Sequence, residues 1–293
     1  MEKIDVIIPT YNRKEKLQRA IDSVLQQKKA PFNLYVIDDG STDGTSEMIR
    51  TLYTSRVCYL HQSNAGPSAA RNLGILKSSS PWIAFLDSDD EWLPKKLETQ
   101  MAYLKEHAGM KICQTEEQWI RNGVRVNPMK KHAKSAGHIF KACLPLCIIS
   151  PSAVMIHRTV FEKVGLFDPD YAVCEDYELW LRIAHQFEVG LIEKPLIKKY
   201  GGHADQLSHA LPAMDRFRIR ALLKILENGN LSIEHQGFVK EELQKKIAIY
   251  AQGSTNRGKK EEAEKLKALY DEACHHEEYQ LLRAFFESPL AVS

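Results

Sequence analysis

The stretch WIAFLDSDDEWLP (82–94) carries an apolar run straight into Asp87, Asp89 and Asp90. The first half reads as a buried strand. The second crowds three acids into four positions, and like charges that close raise one another's pKa unless a cation relieves them. Either the acids face bulk water or something positive sits beside them.

Working outward, the same pattern of strand followed by polar cluster repeats three times upstream. IDVIIP (4–9) is an apolar run ending at Pro9, followed by Thr10, Tyr11 and Asn12. NLYVIDD (33–39) leads to Asp38, Asp39, Gly40 and Ser41. RVCYLH (56–61) leads to QSNAGPSAARN, with Asn64, Gly66, Arg71 and Asn72. Between these strands lie helix patterns. KEKLQRAIDSVLQQ (14–27) sets Leu17, Ile21, Val24 and Leu25 on one face. STDGTSEMIRTLY (41–53) opens on capping residues, and GPSAARNLGILKSS (66–79) has Pro67 in its first turn. Alternating strands and helices predict βαβ units and a parallel sheet. Ligands of such sheets bind beyond the carboxyl ends of the strands. All four polar clusters should therefore gather on one sheet edge.

After a helix expected at 93–107 the pattern changes. Residues 110–120 and 124–126 predict antiparallel strands joined by an Asn122-Gly123 turn. Further strands are expected at 152–158, 188–193 and 196–201, with a helix at 177–187. From Pro212 onward helices are expected at 213–228, 237–252, 259–273 and 277–288, which divides the chain into a region 1–212 and a C-terminal helical region 213–293. Phe217, Leu222, Leu223 and Leu226 give that appendage an apolar face to lay on the first region. The same tail is a candidate surface for acceptor, membrane or a second subunit.

Composition sets the bounds. The chain of 293 residues is 44% hydrophobic and 27% charged, with net charge +2. That is an ordinary globular balance, with no basic track for nucleic acid. KKHAK (130–134) reads as a solvated face. No apolar run approaches the roughly 20 residues of a membrane span. The start MEKIDVIIPT runs directly into a strand rather than a signal peptide, and the six scattered cysteines lack C-x-x-C spacing, so reduced thiols in a cytoplasmic setting are expected. Cys143 and Cys147, one helical turn apart, read as core.

The chemistry of the clusters is that of a nucleoside diphosphate. Asp87 and Asp89, one residue apart, can face one ion, and oxygen ligands suit Mg²⁺ or Mn²⁺ completed by substrate phosphates. Arg71 at a helix start can pair with phosphate. Tyr11 offers an aromatic face and Asp39 an acceptor for a base N–H. Neither a P-loop nor a G-x-G-x-x-G fingerprint is present.

VIIPTYNR (6–13), VIDDGSTDGT (36–45), NAGPSAARNLGI (64–75) and FLDSDDEWLP (85–94) together resemble the successive motifs of family 2 glycosyltransferases, over residues 3 to about 205. The resemblance implies a GT-A fold: an α/β, Rossmann-like mixed sheet flanked by helices. It implies transfer of a sugar from a nucleotide-diphosphate donor, a UDP-sugar in the first instance, to a hydroxyl of a glycan or lipid-linked acceptor, with inversion. By that resemblance Pro9, Thr10, Tyr11, Asp38, Asp39, Arg71, Asp87 and Ser88 surround the nucleotide. Asp89 and Asp87 hold Mn²⁺ or Mg²⁺, joined by His203 of YGGHADQLSH (200–209), with His209 second; Asp90 opens the next helix. In VCEDYELWLRI (173–183) Asp176 is the expected catalytic base, with Glu175 second. Processive synthases of this family carry Gln-x-x-Arg-Trp and membrane helices. Neither is present here, so one sugar per encounter is expected, with a place in surface-polysaccharide assembly at the inner face of a membrane. The competing readings are a nucleotidyltransferase, whose glycine-rich loop is missing from PTYNRKEK, a phosphatase, whose Asp-x-Asp would end the first strand, and a nucleotide-sugar-binding or scaffolding protein.

Overall fold

The computed structural model describes residues 2–127, 129–202, 214–228 and 230–287. The first half alternates as expected: β1 (Ile4–Thr10), α1 (Lys14–Leu25), β2 (Phe32–Asp38), α2 (Thr45–Tyr53), β3 (Cys58–His61), α3 (Gly66–Lys77) and β4 (Trp82–Phe85). Then come β5 (Glu91–Trp92), α4 (Lys96–Glu106), the hairpin β6 (Ile112–Arg121) and β7 (Val124–Val126), α5 (Phe140–Cys143), β8 (Val154–His157), α6 (Arg158–Val164), α7 (Glu175–Ala184) and β9 (Gly190–Gly201). The tail is α8 (Asp215–Asn228), α9 (Ile233–Asn256), α10 (Lys260–His276) and α11 (Gln280–Glu287). The 212/213 boundary expected from sequence lies outside the described residues.

One sheet of nine strands runs β3-β2-β1-β4-β8-β6-β9-β5, with β7 added at the end of β6. β1 pairs in parallel with β2 and β4, and β2 with β3. β8 is antiparallel to both β4 and β6, so β6 points the same way as β4, and β9 runs parallel to β6. The carboxyl ends of β1 to β4, β6 and β9 therefore open on one edge. Period-two alternation sends Ile4, Val6 and Ile8 to one face, against Leu17, Ile21 and Leu97. Ile7, Ile37 and Phe85 go to the other, in a core that continues through Trp180 into Leu222, Leu243 and Phe286 of the tail. Phe217, Leu222 and Leu223 are buried and Leu226 is half-buried, as the apolar face predicts.

Several local expectations shift for identifiable reasons. α2 starts at Thr45, not Ser41: Asp43 Oδ1 accepts from the Thr45 amide (3.1 Å) and hydroxyl (2.6 Å), while the Ser41 amide is held by Asp38 Oδ1 (2.8 Å). Residues 188–201 were expected as two strands. One strand from Gly190 spans them, and register shifts around Glu116 on its partner absorb Pro195, which has no ladder donor. The short β5, α5 and α6 had no sequence expectation. Gly74 settles how α3 lies on the sheet: a Cβ there would sit 2.5 Å from Ile7 Cγ2. That close approach brings Arg71, one turn earlier, over the carboxyl edge.

One buried charge predicts a stability effect. Lys96 on α4 is fully buried, its ammonium donating to Gln100 Oε1 at 2.6 Å and lying 4.0 Å above the Trp92 ring. Burial pushes its pKa down to about 7. Below that the ammonium is charged in both states and the folded chain carries the full cost. As pH rises from about 7 towards the ordinary Lys value near 10.4, the unfolded chain binds a proton that the folded one does not, and stability rises. Lys96→Met should stabilise the fold by about 2 kcal/mol in mildly acidic buffer, and the gain should shrink towards alkaline pH. Urea unfolding of both proteins across that range checks this; a pH-independent difference would contradict it.

Candidate active site

The acids of the quoted stretch divide by alternation. Asp87 and Asp89 are half-buried and stand at the carboxyl edge, whereas Ser88 and Asp90 turn inward. Their cations are arginines. Asp87 Oδ1 receives Arg71 Nη2 at 2.8 Å, and Asp89 Oδ2 receives Arg13 Nη1 at 3.0 Å; Arg19 Nη2 donates to the Asp89 carbonyl at 2.6 Å. Asp90 does not open a helix, as sequence suggested: the next element is β5, and α4 begins only at Lys96. Its carboxyl instead accepts from Ser152 Oγ (2.6 Å) and the Tyr200 amide (3.0 Å), riveting the loop to the antiparallel half. Burial, then the Asp89 charge, pushes its pKa well up.

The loops after β1 and β2 are tied together. Asn12, at φ 48°, accepts the Thr42 amide on Oδ1 at 2.7 Å and donates its own amide to Ser41 Oγ at 2.9 Å. Asp38, with no exposure, accepts from the Ser41 amide and from Tyr59 OH at 2.6 Å. Asp39 accepts Gln62 Nε2 (2.6 Å) and the Ala65 amide (2.9 Å) on Oδ1, and the Gly66 amide (2.8 Å) on Oδ2. It thus seats the N-terminus of α3, where a carboxylate is favoured. Three of about four acceptor positions are taken. Gly40, at φ 87°, lets this turn pass: a Cβ would stand 2.9 Å from the Asn64 amide nitrogen. Pro9 is buried in β1 beside Ile37, Tyr11 is 49% exposed, and Thr10 is buried with its Oγ1 lacking a hydrogen-bond partner among the described residues.

Arg71 joins this edge to α7. Its Nη1 reaches Glu175 Oε1 at 2.7 Å while Nη2 holds Asp87. Burial pushes the Glu175 carboxyl up, against the pull of Arg71. Burial would lower Arg71, but the two carboxylates outweigh it and raise its pKa. The two acids at the start of α7 are therefore unequal. Glu175 is buried on the guanidinium; Asp176 is half-buried, with Oδ1 accepting the Tyr177 amide at 2.7 Å. Cys174, at φ 62°, makes the turn that presents them. Asp176 Oδ2 receives the Cys147 thiol at 3.3 Å, and that thiol also lies 3.1 Å from the Ile149 carbonyl. Burial, then the Asp176 charge, pushes the thiol well up, so it remains a donor. Cys147 packs against the core, as its spacing from Cys143 suggested, and its thiol also reaches the candidate site.

Sequence reasoning also passed over Lys199. Its ammonium lies 3.2 Å from Ser150 Oγ. Burial would lower its pKa, but Glu117, Asp90 and Asp87 outweigh that and push it up. Leu196 and Ile197 are both buried, so period-two counting along β9 gave no unambiguous signal for position 199. Arg13, within the VIIPTYNR motif, and Cys147 offered none.

Asp87 and Asp89 supply two hard oxygen donors. Among the described residues no cluster of three or more His, Cys, Asp or Glu could hold a metal, and His203 and His209 lie outside the described residues. Two carboxylates fit a Mg²⁺- or Mn²⁺-sized ion that draws its remaining oxygens from phosphate and water. No described helix is long and apolar enough to cross a membrane.

Comparison with known proteins bears on this arrangement. The model of the family described as "Glycosyl transferase family 2" matches residues 5–165, more than half of the chain. An uncharacterized glycosyltransferase of Rickettsia felis is 37% identical over 203 residues, covering 67% of this chain but 32% of its own. The chain thus spans about a third of the length of that relative. The Escherichia coli UDP-Glc:alpha-D-GlcNAc-diphosphoundecaprenol beta-1,3-glucosyltransferase WfaP is 30% identical over 187 residues, covering 62% of this chain and 70% of its own. In fold, the chain is similar to S. aureus TarS 1-349 in complex with UDP-GlcNAc, with TM-score 0.68 at 18% identity over 98% of this chain and 91% of that one. With four motif loops on one edge of a GT-A sheet and the family match running through all of them, the chain belongs to glycosyltransferase family 2.

Proposed function

We propose that the protein is a metal-dependent, inverting, non-processive glycosyltransferase that moves one sugar from a UDP-sugar to a hydroxyl of a glycan or lipid-linked acceptor in surface-polysaccharide assembly, working at the inner face of a membrane. The observation that carries this reading is the chain Asp87–Arg71–Glu175, at 2.8 and 2.7 Å. It couples the β4 loop, where a diphosphate would lie, to the first turn of α7, where the next residue is the half-buried acid Asp176. The uridine would meet Tyr11, the Thr10 hydroxyl that lacks a partner among the described residues, and the remaining acceptor position of Asp39. Asp176 would take the proton of the acceptor hydroxyl as its oxygen attacks the anomeric carbon opposite the departing diphosphate. Glu175 and Arg71 hold α7 and the donor loop in register during that attack. A divalent ion held by Asp87 and Asp89 would supply positive charge to the leaving diphosphate. The UDP-Glc donor and diphosphoundecaprenol-linked acceptor of WfaP, and the UDP-GlcNAc bound to TarS, support this choice of substrates.

The test is release of nucleoside diphosphate from a panel of UDP-, GDP- and dTDP-sugars with Mn²⁺, with and without glycan and lipid-diphosphate-sugar acceptors. Acceptor-stimulated UDP release is expected. Pyrophosphate release would point to nucleotidyl transfer, and release from no donor to a binding protein. Asp89→Ala should lower Mn²⁺-enhanced UDP affinity at least about tenfold, roughly 1.4 kcal/mol by calorimetry. An unchanged Mn²⁺ effect would remove Asp89 from the metal site.

A further inference from the structure

From Gln118 through Phe161 the chain has seven Lys and Arg residues and no Asp or Glu, although the whole protein is nearly balanced at 40 cations to 38 anions. The first part of this run is the β6–β7 hairpin and the 3-10 turn Lys130–His132 that follows. Because β6 points the same way as β4, the hairpin projects from the edge that carries the candidate active site. Arg121, Arg125, Lys130 and Lys131 are exposed. Among them stand two bare apolar side chains, Val124 (65% exposed) and Met129 (56%). An edge strand guarded only against pairing needs charge. It has no use for exposed valine and methionine beside that charge.

The positive field is continuous with the site. His132 packs 5.2 Å from the Trp119 ring, and burial, then Lys131, Lys199 and Arg121, holds its pKa down. Lys199 is the same ammonium that feels Asp87 and Asp90. The exposed cations of the hairpin and Lys199, which stands opposite Trp119 in the β6–β9 ladder and 3.2 Å from Ser150 Oγ, thus form a cationic ribbon along this edge. Of the two acids that precede this run, Glu117 pairs with Lys134 at 2.9 Å and Glu116 is half-buried beside it.

We propose that this hairpin, through Arg121, Arg125, Lys130 and Lys131 with Val124 and Met129 as shallow apolar anchors, docks the enzyme on an anionic phospholipid bilayer. The inference rests on reading the acceptor as lipid-linked. A surface of cations with a few apolar side chains is what a negatively charged leaflet attracts. Docked this way, the edge bearing Asp176 faces the headgroups, and a lipid-borne diphosphate would meet the ribbon before its sugar meets the base.

The experiment is co-sedimentation of the full chain with vesicles at physiological ionic strength. One set is phosphatidylcholine alone, the other equal parts phosphatidylcholine and phosphatidylglycerol. Binding to the anionic set alone is expected, falling as salt is raised. Each Lys or Arg near such a surface contributes about fivefold in partition. The combined Arg121→Gln, Arg125→Gln, Lys130→Gln and Lys131→Gln variant should therefore lose on the order of several hundredfold. Val124→Ser with Met129→Ser should lose about tenfold at unchanged charge. A control with Lys260→Gln, Lys265→Gln and Lys267→Gln on α10 should bind as the parent does. Equal binding to both vesicle sets, no binding to either, or equal loss in the α10 control overturns the proposal. So does hairpin-dependent binding to soluble polyphosphate with anionic vesicles ignored. Donor turnover is read separately, as UDP release in vesicle-free solution. Vesicle binding without turnover of any donor would leave the docking surface standing while the transferase reading falls.

Discussion

Asp176→Asn should lower sugar transfer by about a thousandfold or more, while UDP affinity should change by less than about threefold; proton transfer by a positioned base is worth roughly 10²–10⁴. The substitution suits the site. The amide keeps an oxygen for the Tyr177 amide at the first turn of α7, and its nitrogen can donate to the Cys147 sulfur, which at present donates to Asp176 Oδ2. The fold around α7 should be preserved and only the basicity lost. Glu175 cannot take over, because it is buried against Arg71 at 2.7 Å and facing the donor loop. The measurement is kcat with a responsive acceptor alongside calorimetry with UDP and Mn²⁺. Transfer at the parent rate would place the base elsewhere. Equal losses in rate and UDP affinity would make Asp176 part of the donor site.

What sequence shows of this protein, and what it hides, follows from the range of the interactions. The parallel half was legible because each strand is a short apolar run closed by turn residues, and strands alternating with helices imply parallel pairing even where, as for Ile4 and Trp82, the partners lie far apart in sequence. The Asn122-Gly123 turn was legible for the same reason: both residues take positive φ, 49° and 77°. The partners of the acids were not. Arg13 and Asp89 are 76 residues apart, and Arg71 and Glu175 are 104 apart. Which of several arginines meets which carboxylate depends on how α3 and α7 lie across the sheet, and no local pattern encodes that. The contrast between Glu175 and Asp176 is likewise invisible in the dipeptide, since it arises from which acid Arg71 reaches. Asp90 misled because an acid shortly before a helix resembles a helix start, whereas its partners, Ser152 and Tyr200, come from 62 and 110 positions away.

Arg71→Met should be the most damaging single change to stability, because it strips the shared cation from two carboxylates at once. Arg71 and Glu175 side chains are 6% and 9% exposed, and Asp87 27%. Removing one partner of a buried pair costs about 3–5 kcal/mol, since the other charge is left without compensation. Solvent reaches Asp87 and softens its share, so the cost falls mainly on Glu175. Burial already raises that carboxyl's pKa, and Arg71 opposes the rise. Without the guanidinium the pKa climbs further above its unfolded value near 4.3. The folded chain then binds a proton that the unfolded chain has released, so its stability falls as pH rises through the folded pKa. The deficit against the parent, measured by urea unfolding, should be larger at about pH 8 than at about pH 5.5, and Glu175→Gln added to Arg71→Met should recover much of the difference at the higher pH. Unlike Asp176→Asn, the Arg71 variant should lose donor affinity and transfer together, because the β4 loop and α7 are no longer tied. If it unfolds like the parent at both pH values yet loses transfer alone, the Asp87–Arg71–Glu175 chain serves the reaction directly and not as the brace between the two halves of the site.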